Sequence, residues 1–246
     1  MKKLMLILVV VAVAVVTQSA SAVLVTNGAT TLFYDDFESN TTASTAAAPD
    51  ATGDYDPDAA SVGSWGVTAG DADKIQVTSF GTPGTPEGVN YLRQTGGGAH
   101  SYAQFSSAQT AGTLHFEALV NPTTTAAGVN TTPVGFQDSG GLWGPFIVLQ
   151  AGKVQSYTGG TYVPVGSLTY TVGTWAVLEI DWTVGASTCD VTFGGTTVTG
   201  VGTRSNAASM DRVRFSDVSY YDAVPEPATM ALLGLGSLVM LRRKKA

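Results

Sequence analysis

Two long segments of the chain alternate between apolar and polar positions, which is the pattern of half-buried β-strands. In Thr113–Val120, every second residue is apolar and belongs to one face. In Trp175–Val184, a second apolar row leaves Glu179 and Asp181 on the opposite face. Both segments are therefore predicted to be strands with one face in a core and one face outside.

Shorter segments rich in Thr, Val and aromatic residues predict further strands. They are separated by pairs and triplets of glycine, which favour turns, and residues that fill helix surfaces are scarce between residues 23 and 224. Many short strands at regular spacing predict an all-β fold, a β-sandwich or jelly roll. The shorter predicted strands are Thr31–Phe37, Lys74–Phe80, Asn90–Gln94, Tyr102–Phe105, Pro145–Gln150, Lys153–Tyr157, Thr196–Thr199 and Arg212–Tyr220.

The first 22 residues have the pattern of a secretory signal peptide. Two lysines are followed by the apolar run Leu4–Val16 and by Ala20-Ser21-Ala22, small residues of the kind a signal peptidase accepts. The run is shorter than the roughly 20 residues that cross a bilayer, which favours cleavage over an uncleaved membrane anchor. Residues 23–223 are therefore predicted to form the folded domain.

The last 23 residues, 224–246, have three parts in a fixed order. Val224-Pro225-Glu226-Pro227 ends the last strand, because proline neither donates a backbone hydrogen bond nor continues a helix. The apolar stretch Met230–Leu241 predicts a short hydrophobic helix of about 20 Å, marginal against a hydrocarbon core of about 30 Å. The basic cluster that starts with Arg242 and Arg243 favours the cytoplasmic side of a membrane.

This order of motif, apolar helix and arginines closely resembles the PEP-CTERM sorting signal. The resemblance implies recognition by an exosortase, a membrane cysteine protease that cuts near Pro225-Glu226-Pro227 and releases or re-anchors the domain at the cell surface. A permanent single-pass anchor is the alternative, disfavoured by the short apolar stretch. The residues that carry the sorting motif are Val224, Pro225, Glu226, Pro227, Arg242 and Arg243.

Charge distribution limits the partners of the folded domain. Between residues 23 and 224, six basic side chains stand against eighteen acidic ones, a net charge of −12, whereas the whole chain carries −7. An acidic surface without a basic stripe disfavours nucleic-acid binding and favours divalent cations.

The chain has one cysteine, Cys189, and therefore no internal disulfide. A nucleophile or an intermolecular bridge is one interpretation of this residue. We favour a buried apolar residue instead, because Cys189, Val191 and Phe193 alternate on one face of a strand and free cysteine is commonly buried.

The domain itself resembles the concanavalin A-like (LamG-type) jelly roll. The resemblance rests on Leu32–Glu38 near its start, on Gly173-Thr174-Trp175 before a long alternating strand, and on the closing Val218–Asp222. In that fold the first and last strands usually pair, and the bent sheets leave a concave face.

The sharpest catalytic candidate is Glu179-Ile180-Asp181. Laminarinase-type hydrolases of this fold carry a third carboxylate on the same strand, where this chain has Thr183 or Val184. Glycoside hydrolysis needs both a general acid and a second carboxylate, and nothing in the sequence places Glu117 beside the first pair. The sequence thus predicts that the protein is not an enzyme, with no catalytic residues.

Two interpretations of these acidic residues remain open. They form either a solvated strand face or, together with Trp175, part of a sugar-binding groove, since a ring beside polar groups can stack on a sugar. The candidate glycan-binding residues are Trp175, Glu179 and Asp181.

A structural calcium ion is the one cofactor the sequence suggests. Alternate carboxylates can converge on a hard cation, and LamG-like domains often hold calcium. Two candidate ligand sets remain open, and the acidic loop that holds the second does not meet the EF-hand pattern. They are Asp35, Asp36 and Asp222 near the ends of the domain, and Asp54, Asp56 and Asp58 in an acidic loop.

The whole pattern predicts an exported β-sandwich at the cell surface or in the extracellular matrix, with a structural or glycan-binding role. A glycan-active hydrolase of the same fold is the alternative. The expected partners are signal peptidase, exosortase, extracellular polysaccharide, and the inner membrane through the tail before processing.

Overall fold

The fold is seen in a computed structural model, which describes residues 23–35, 60, 62–67, 75–78, 91–94, 100–128, 130–216 and 219–222. These residues belong to one compact unit, Ala22–Val224, and every element of regular structure within them is a β-strand. The strands are β1 (Val23–Asn27), β2 (Thr30–Asp35), β3 (Ser64–Val67), β4 (Ile75–Thr78), β5 (Tyr91–Gln94), β6 (His100–Gln109), β7 (Thr113–Asn121), β8 (Thr131–Gln137), β9 (Trp143–Gln150), β10 (Lys153–Thr158), β11 (Thr161–Thr169), β12 (Ala176–Thr183), β13 (Thr188–Phe193), β14 (Thr196–Gly202), β15 (Met210–Ser216) and β16 (Ser219–Asp222).

Several predictions concern segments outside the described residues. Among them are the signal peptide 1–22 and the sorting tail 224–246 with its hydrophobic helix. The same holds for one residue of the first calcium set and for the whole second set: Asp36, Asp54, Asp56 and Asp58. These remain predictions.

The strands form two antiparallel sheets, the architecture of a β-sandwich jelly roll. The nine-stranded sheet has the order β14-β13-β12-β7-β16-β5-β4, with β1 also paired to β7 and β2 paired to β1. The seven-stranded sheet has the order β11-β10-β9-β8-β15-β6-β3. The predicted all-β fold class is confirmed.

One hydrophobic core fills the space between the two sheets. Its centre contains ring pairs that join a strand of one sheet to a strand of the other. The ring centroids of Phe116 and Phe215 are 5.9 Å apart, and those of Phe136 and Trp182 are 6.0 Å apart. Each such side chain contributes about 1.5–3 kcal/mol through the removal of apolar area from water, so these pairs fix how the sheets face each other.

The two alternating segments are strands with one buried face, as predicted. Leu114, Phe116, Ala118 and Val120 on β7 are buried, as are Leu178, Ile180 and Trp182 on β12. Cys189 is also buried, beside Val191 and Phe193 on β13, and burial raises the pKa of its thiol to about 12. A thiol in that environment stays protonated at neutral pH, as expected for a core residue.

The segment Arg212–Tyr220, predicted as one strand, contributes to two strands in different sheets. β15 lies in the seven-stranded sheet, and β16 lies in the nine-stranded sheet. Two consecutive polar residues, Ser216 and Asp217, break the alternation at this boundary. The alternation of apolar and polar residues identifies a strand but not the strand that it pairs with. The prediction of a single strand was therefore wrong.

The first and last strands do not pair with each other among the described residues. Both bind the same edge of β7: β1 pairs along Leu114–Glu117, and β16 pairs along Leu119–Asn121. β7 is long enough to accept the two strands end to end, and the end-to-end arrangement replaces the side-by-side pairing expected from the family resemblance.

Four described strands were not predicted from the sequence: β1, β3, β8 and β11. The last two lack alternation. All seven residues of β8 are buried, so no polar face marks it. β11 lies at a sheet edge, contains Pro164 and Gly166, and is mostly exposed. Proline is tolerated at an edge because no ladder hydrogen bond is lost there.

Candidate functional site

The carboxylates singled out in the sequence lie on the outer face of the nine-stranded sheet. β12 and β7 are antiparallel neighbours, and their register sets Glu179 opposite Glu117 and Asp181 opposite His115. The inward residues of both strands are buried in the core. These four side chains therefore lie together on the outside and are called the carboxylate face below.

His115 bridges two carboxylates of this face. Its Nδ1 lies 2.9 Å from Oδ1 of Asp181, and its Nε2 lies 3.4 Å from Oε2 of Glu117. Hydrogen bonding to Glu117 and Asp181 outweighs the opposing effect of burial and raises the pKa of His115 to about 9. The imidazole is thus charged at neutral pH and offsets part of the repulsion among the acidic residues.

The structure also places Glu117 next to Glu179, a proximity that the sequence did not predict. Burial raises the pKa of Glu179, and the nearby charge of Glu117 raises it further. A carboxyl group with a raised pKa beside a second carboxylate is the combination that general acid catalysis uses. Within the described residues, no group of three or more His, Cys, Asp or Glu side chains is arranged to hold a metal ion.

We expect the free energy of unfolding to fall as the pH rises from about 7 to 10. The pKa of His115 is about 9 in the folded protein against an ordinary value of 6.5, so its stabilising effect is complete below pH 6.5 and is lost as the pH passes 9. Solvent screening of the partly exposed carboxylates limits the effect to about 1 kcal/mol.

Denaturant unfolding of the wild type and of His115→Gln at the two pH values measures this contribution. The variant controls for other groups that titrate near pH 10 and should lose less stability than the wild type. An equal loss in both proteins would contradict the assignment.

The other sequence-predicted residues are more dispersed. Trp175 is half-buried and directly precedes β12. Asp35 is fully buried on β2, where its carboxylate accepts a hydrogen bond from the indole of Trp65. For Asp222 the structure gives the pairing of its backbone with Leu119. The roles proposed for these residues in glycan or calcium binding remain predictions.

A second surface, on the outer face of the seven-stranded sheet, was missed by sequence reasoning. One register line crosses four of the seven strands: Tyr102 pairs with Arg214, Arg214 with Gly135, and Gly135 with Phe146. On the neighbouring hairpin, Tyr157 pairs with Tyr162. Together with Trp143, these aromatic side chains lie on one side of the sheet, called the aromatic face below, where Trp143 and Phe146 are buried in a small cluster; its residues are Tyr102, Trp143, Phe146, Tyr157 and Tyr162.

Four rings of this face, on β9, β10 and β11, touch in sequence. Ring centroids are 4.6 Å apart for Trp143 and Phe146, 6.3 Å for Phe146 and Tyr157, and 4.9 Å for Tyr157 and Tyr162. At the outer end, the amide of Asn130 donates a hydrogen bond of 2.7 Å to the hydroxyl of Tyr162. Tilted and edge contacts at these distances stabilise each pair and hold the rings in fixed positions.

Arginine side chains cover the rings. The guanidinium carbon of Arg204 lies 4.8 Å from the centroid of Trp143, 5.5 Å from that of Phe146 and 5.0 Å from that of Tyr157. Arg214 lies 5.1 Å from the centroid of Trp143. Arg212 lies 5.0 Å from the ring of Tyr102. Cation–π attraction favours each of these positions.

Backbone geometry positions the central part of the aromatic face. The register between β8 and β9 shifts between Gly135 and Gln137, so that Trp143 and Phe146, three residues apart, lie on the same side. Gly135 leaves space there, because a Cβ atom would lie 3.0 Å from the Phe146 ring. The loop that carries Arg204 is held by a hydrogen bond of 3.1 Å from its backbone N–H to the carbonyl of Gly144.

Part of this surface has a signal in the sequence. Gly159 and Gly160 both have positive φ, at 58° and 83°, as a tight hairpin turn requires. A two-residue turn at this point sets Tyr157 opposite Tyr162. No such local signal brings Arg204 or Trp143 to the same place.

Residues 223–245 match the PEP-CTERM protein-sorting motif. The chain carries a PEP-CTERM sorting signal. The PEP-CTERM motif implies export, membrane-associated sorting and processing by an exosortase, and its presence confirms the resemblance seen in the sequence. The match covers the tail and leaves the β-sandwich unassigned.

Solved structures give a similar architecture for the domain ahead of the PEP-CTERM motif. A sialidase is 12% identical, with 69% of this chain and 19% of that chain covered and a TM-score of 0.45; this chain thus spans about a fifth of the sialidase. The cellulose induced protein Cip1 is 16% identical, with coverages of 65% and 88% and a TM-score of 0.47. The carbohydrate-binding module CBM66 from Bacillus subtilis is 14% identical, with coverages of 61% and 92% and a TM-score of 0.36. Such similarity concerns architecture and carries no argument about activity.

A search of curated protein sequences finds no match for the chain. In the part of the chain that the structure describes, there is no apolar helix of the length that crossing a membrane requires.

Proposed function

We propose that the protein is a non-enzymatic glycan-binding protein that is exported and sorted to the cell surface through its PEP-CTERM tail. The aromatic face, rather than the carboxylate face, is the binding surface in this proposal. Its ligand is a polysaccharide that lies across the strands of the seven-stranded sheet.

The observation that carries the proposal is the unbroken series of ring contacts from Trp143 through Phe146 and Tyr157 to Tyr162. Sugar rings have apolar faces that stack on aromatic side chains, while their hydroxyls bond to polar groups at the ring edges. Tyr157 is half-buried and Tyr162 is exposed, so both offer ring surface to a ligand. The two tyrosines lie on neighbouring strands about 4.8 Å apart, beside the buried rings of Trp143 and Phe146 that support them.

A retention assay on a panel of insoluble neutral polysaccharides and immobilised acidic ones tests the proposal. We expect at least one of them to retain the full chain. Replacing both Tyr157 and Tyr162 by alanine should weaken retention about tenfold, because two stacking contacts of roughly 0.7 kcal/mol each are lost.

Two further variants make this assay specific. Tyr34→Ala removes a half-buried tyrosine of the other sheet and should leave retention unchanged. Trp175→Ala tests the surface singled out by the sequence. Loss of retention with Trp175→Ala alone would move the binding surface to the nine-stranded sheet, and no retention on any polysaccharide would refute the proposal.

A second candidate function, glycan hydrolysis, is favoured by one observation. The register sets Glu117 opposite Glu179, whose pKa is raised by burial, and this supplies the second carboxylate that the sequence appeared to lack. Release of reducing sugar that Glu179→Gln abolishes would establish hydrolysis and overturn the non-enzymatic assignment. A charge-neutral Thr192→Val variant of the facing β13 position serves as the matched control.

A further inference from the structure

Charged residues are divided unequally between the two sheets. The strands of the seven-stranded sheet contain one acidic residue, Asp211, and three basic ones: Lys153, Arg212 and Arg214. The strands of the nine-stranded sheet contain one basic residue, Arg93, and six acidic ones: Asp35, Glu117, Glu179, Asp181, Asp190 and Asp222. A domain with a net charge of −12 therefore has one sheet whose strands carry a net positive charge.

The single acidic residue of the seven-stranded sheet does not neutralise the aromatic face. Oδ1 of Asp211 lies 2.7 Å from Nε of its own neighbour Arg212, and its other oxygen accepts a hydrogen bond from the backbone of Ser139. Arg212, at the margin of the aromatic face, therefore pairs with the charge of Asp211. Arg204, which covers Trp143 from a loop, contributes a positive charge at the centre, and Asp138 in the turn between β8 and β9 accepts a hydrogen bond from the backbone of Leu142.

Arg204 is the cation best placed to meet a ligand. It is exposed, and it has no ion-pair partner among the described residues. Its guanidinium carbon lies 4.8–5.5 Å from the centroids of three rings, Trp143, Phe146 and Tyr157, and these contacts hold the group in place. A guanidinium carries five N–H donors, and in an exposed side chain those that do not face the rings are available to a neighbouring acceptor.

We propose that the aromatic face binds an acidic polysaccharide, and that Arg204 selects it by pairing with a carboxylate of the glycan. This inference rests on the proposed function and adds the substrate class. Stacking on the tyrosine rings holds the sugar units, while the in-plane donors of Arg204 match the two oxygens of a carboxylate.

The net negative charge of the domain does not prevent this interaction. Packed sheets lie about 10 Å apart, and the Debye length at physiological salt is about 8 Å. The acidic residues on the outer face of the nine-stranded sheet lie on the opposite side of the sandwich, where salt in the surrounding solvent screens their charge.

A matched pair of ligands tests the inference: polygalacturonate and its fully methyl-esterified form, which share a backbone and differ in charge. The full chain, purified in mild detergent, is titrated with each ligand by calorimetry. We expect the wild type to bind polygalacturonate about tenfold more tightly than the ester, as one charge-assisted bidentate pair provides. Arg204→Gln should reduce this preference to about twofold or less.

Two variants separate the role of Arg204 from general charge and from folding. Lys153→Gln removes the same charge from an exposed position of β10 and should leave the preference within about twofold of the wild type. Arg204→Lys keeps the charge but loses the planar pair of donors, and an intermediate preference is expected. Thermal unfolding of each variant verifies that the sheet is intact.

The outcomes are distinguishable. Equal binding of the two ligands by the wild type would overturn the preference for acidic glycans and leave the proposed function standing. An equal loss in Lys153→Gln and Arg204→Gln would overturn the assignment to Arg204. Absence of binding to both ligands, together with no retention on the polysaccharide panel, would refute glycan binding as a whole.

Discussion

Trp182→Ala is expected to lower the free energy of unfolding by about 4 kcal/mol, the largest single effect we predict. Trp182 is almost completely buried on β12 and lies against Phe136 of the opposite sheet. A Cβ atom at Gly144 would come within 2.9 Å of its ring, which shows how closely β9 approaches the indole. The indole N–H also donates a hydrogen bond of 2.9 Å to the carbonyl of Ala186. Truncation therefore opens a cavity between the two sheets.

For a domain of this size, the loss corresponds to a fall in melting temperature of about 10 °C. Trp182→Phe provides the matched control, since it keeps a ring against Phe136 but removes the indole N–H. We expect it to cost roughly half as much. If the two variants melt at the wild-type temperature, Trp182 does not link the sheets as described.

Gly135→Ala is expected to destabilise the protein by about 2 kcal/mol and to distort the aromatic face. A Cβ atom at this position would lie 2.4 Å from the backbone carbonyl oxygen of Pro145 and 3.0 Å from the Phe146 ring. The backbone of the adjacent strand cannot move aside as a flexible side chain can, so the clash displaces β9 from β8. Glycan retention should weaken together with stability.

Gly140→Ala is the matched control for this substitution. There the added methyl group would meet only the carboxylate of Asp138, at 3.3 Å, and that side chain can rotate. We expect a change of less than about 0.5 kcal/mol. Denaturant unfolding of the two variants side by side measures the difference, and equal stabilities would show that β8 tolerates a side chain at Gly135.

Trp182 and Gly135 both lie against the same strand, β9. On the inner face of β9, Gly144 lies against the ring of Trp182. On the outer face, the ring of Trp143 lies against the guanidinium of Arg204. A change in the position of this strand therefore alters both the packing of the sheets and the spacing of the rings. The stability of the sandwich and the geometry of the aromatic face depend on the same strand.

The sequence by itself determined those features whose cause is local. Strict alternation identified β7 and β12, because neighbouring side chains of a strand point to opposite faces. The same rule correctly predicted that Cys189 is buried. The tail was recognisable because a sorting signal is read as a linear segment, and its residues stand in order at the chain end. The pair of carboxylates at Glu179 and Asp181 was likewise placed correctly on an outer face.

Only the tertiary structure decided which residues from distant segments meet. Glu117 reaches Glu179 through the pairing of strands that are about sixty residues apart in sequence. Trp143 and Phe146 share a side because the register shifts within β8 and β9, which breaks the two-residue period that sequence reasoning assumes. Arg204 comes from a loop, where no periodicity exists to place it. Pairing register, bulges and loop positions arise from long-range packing, and for that reason the aromatic face has no counterpart in the local pattern of the chain.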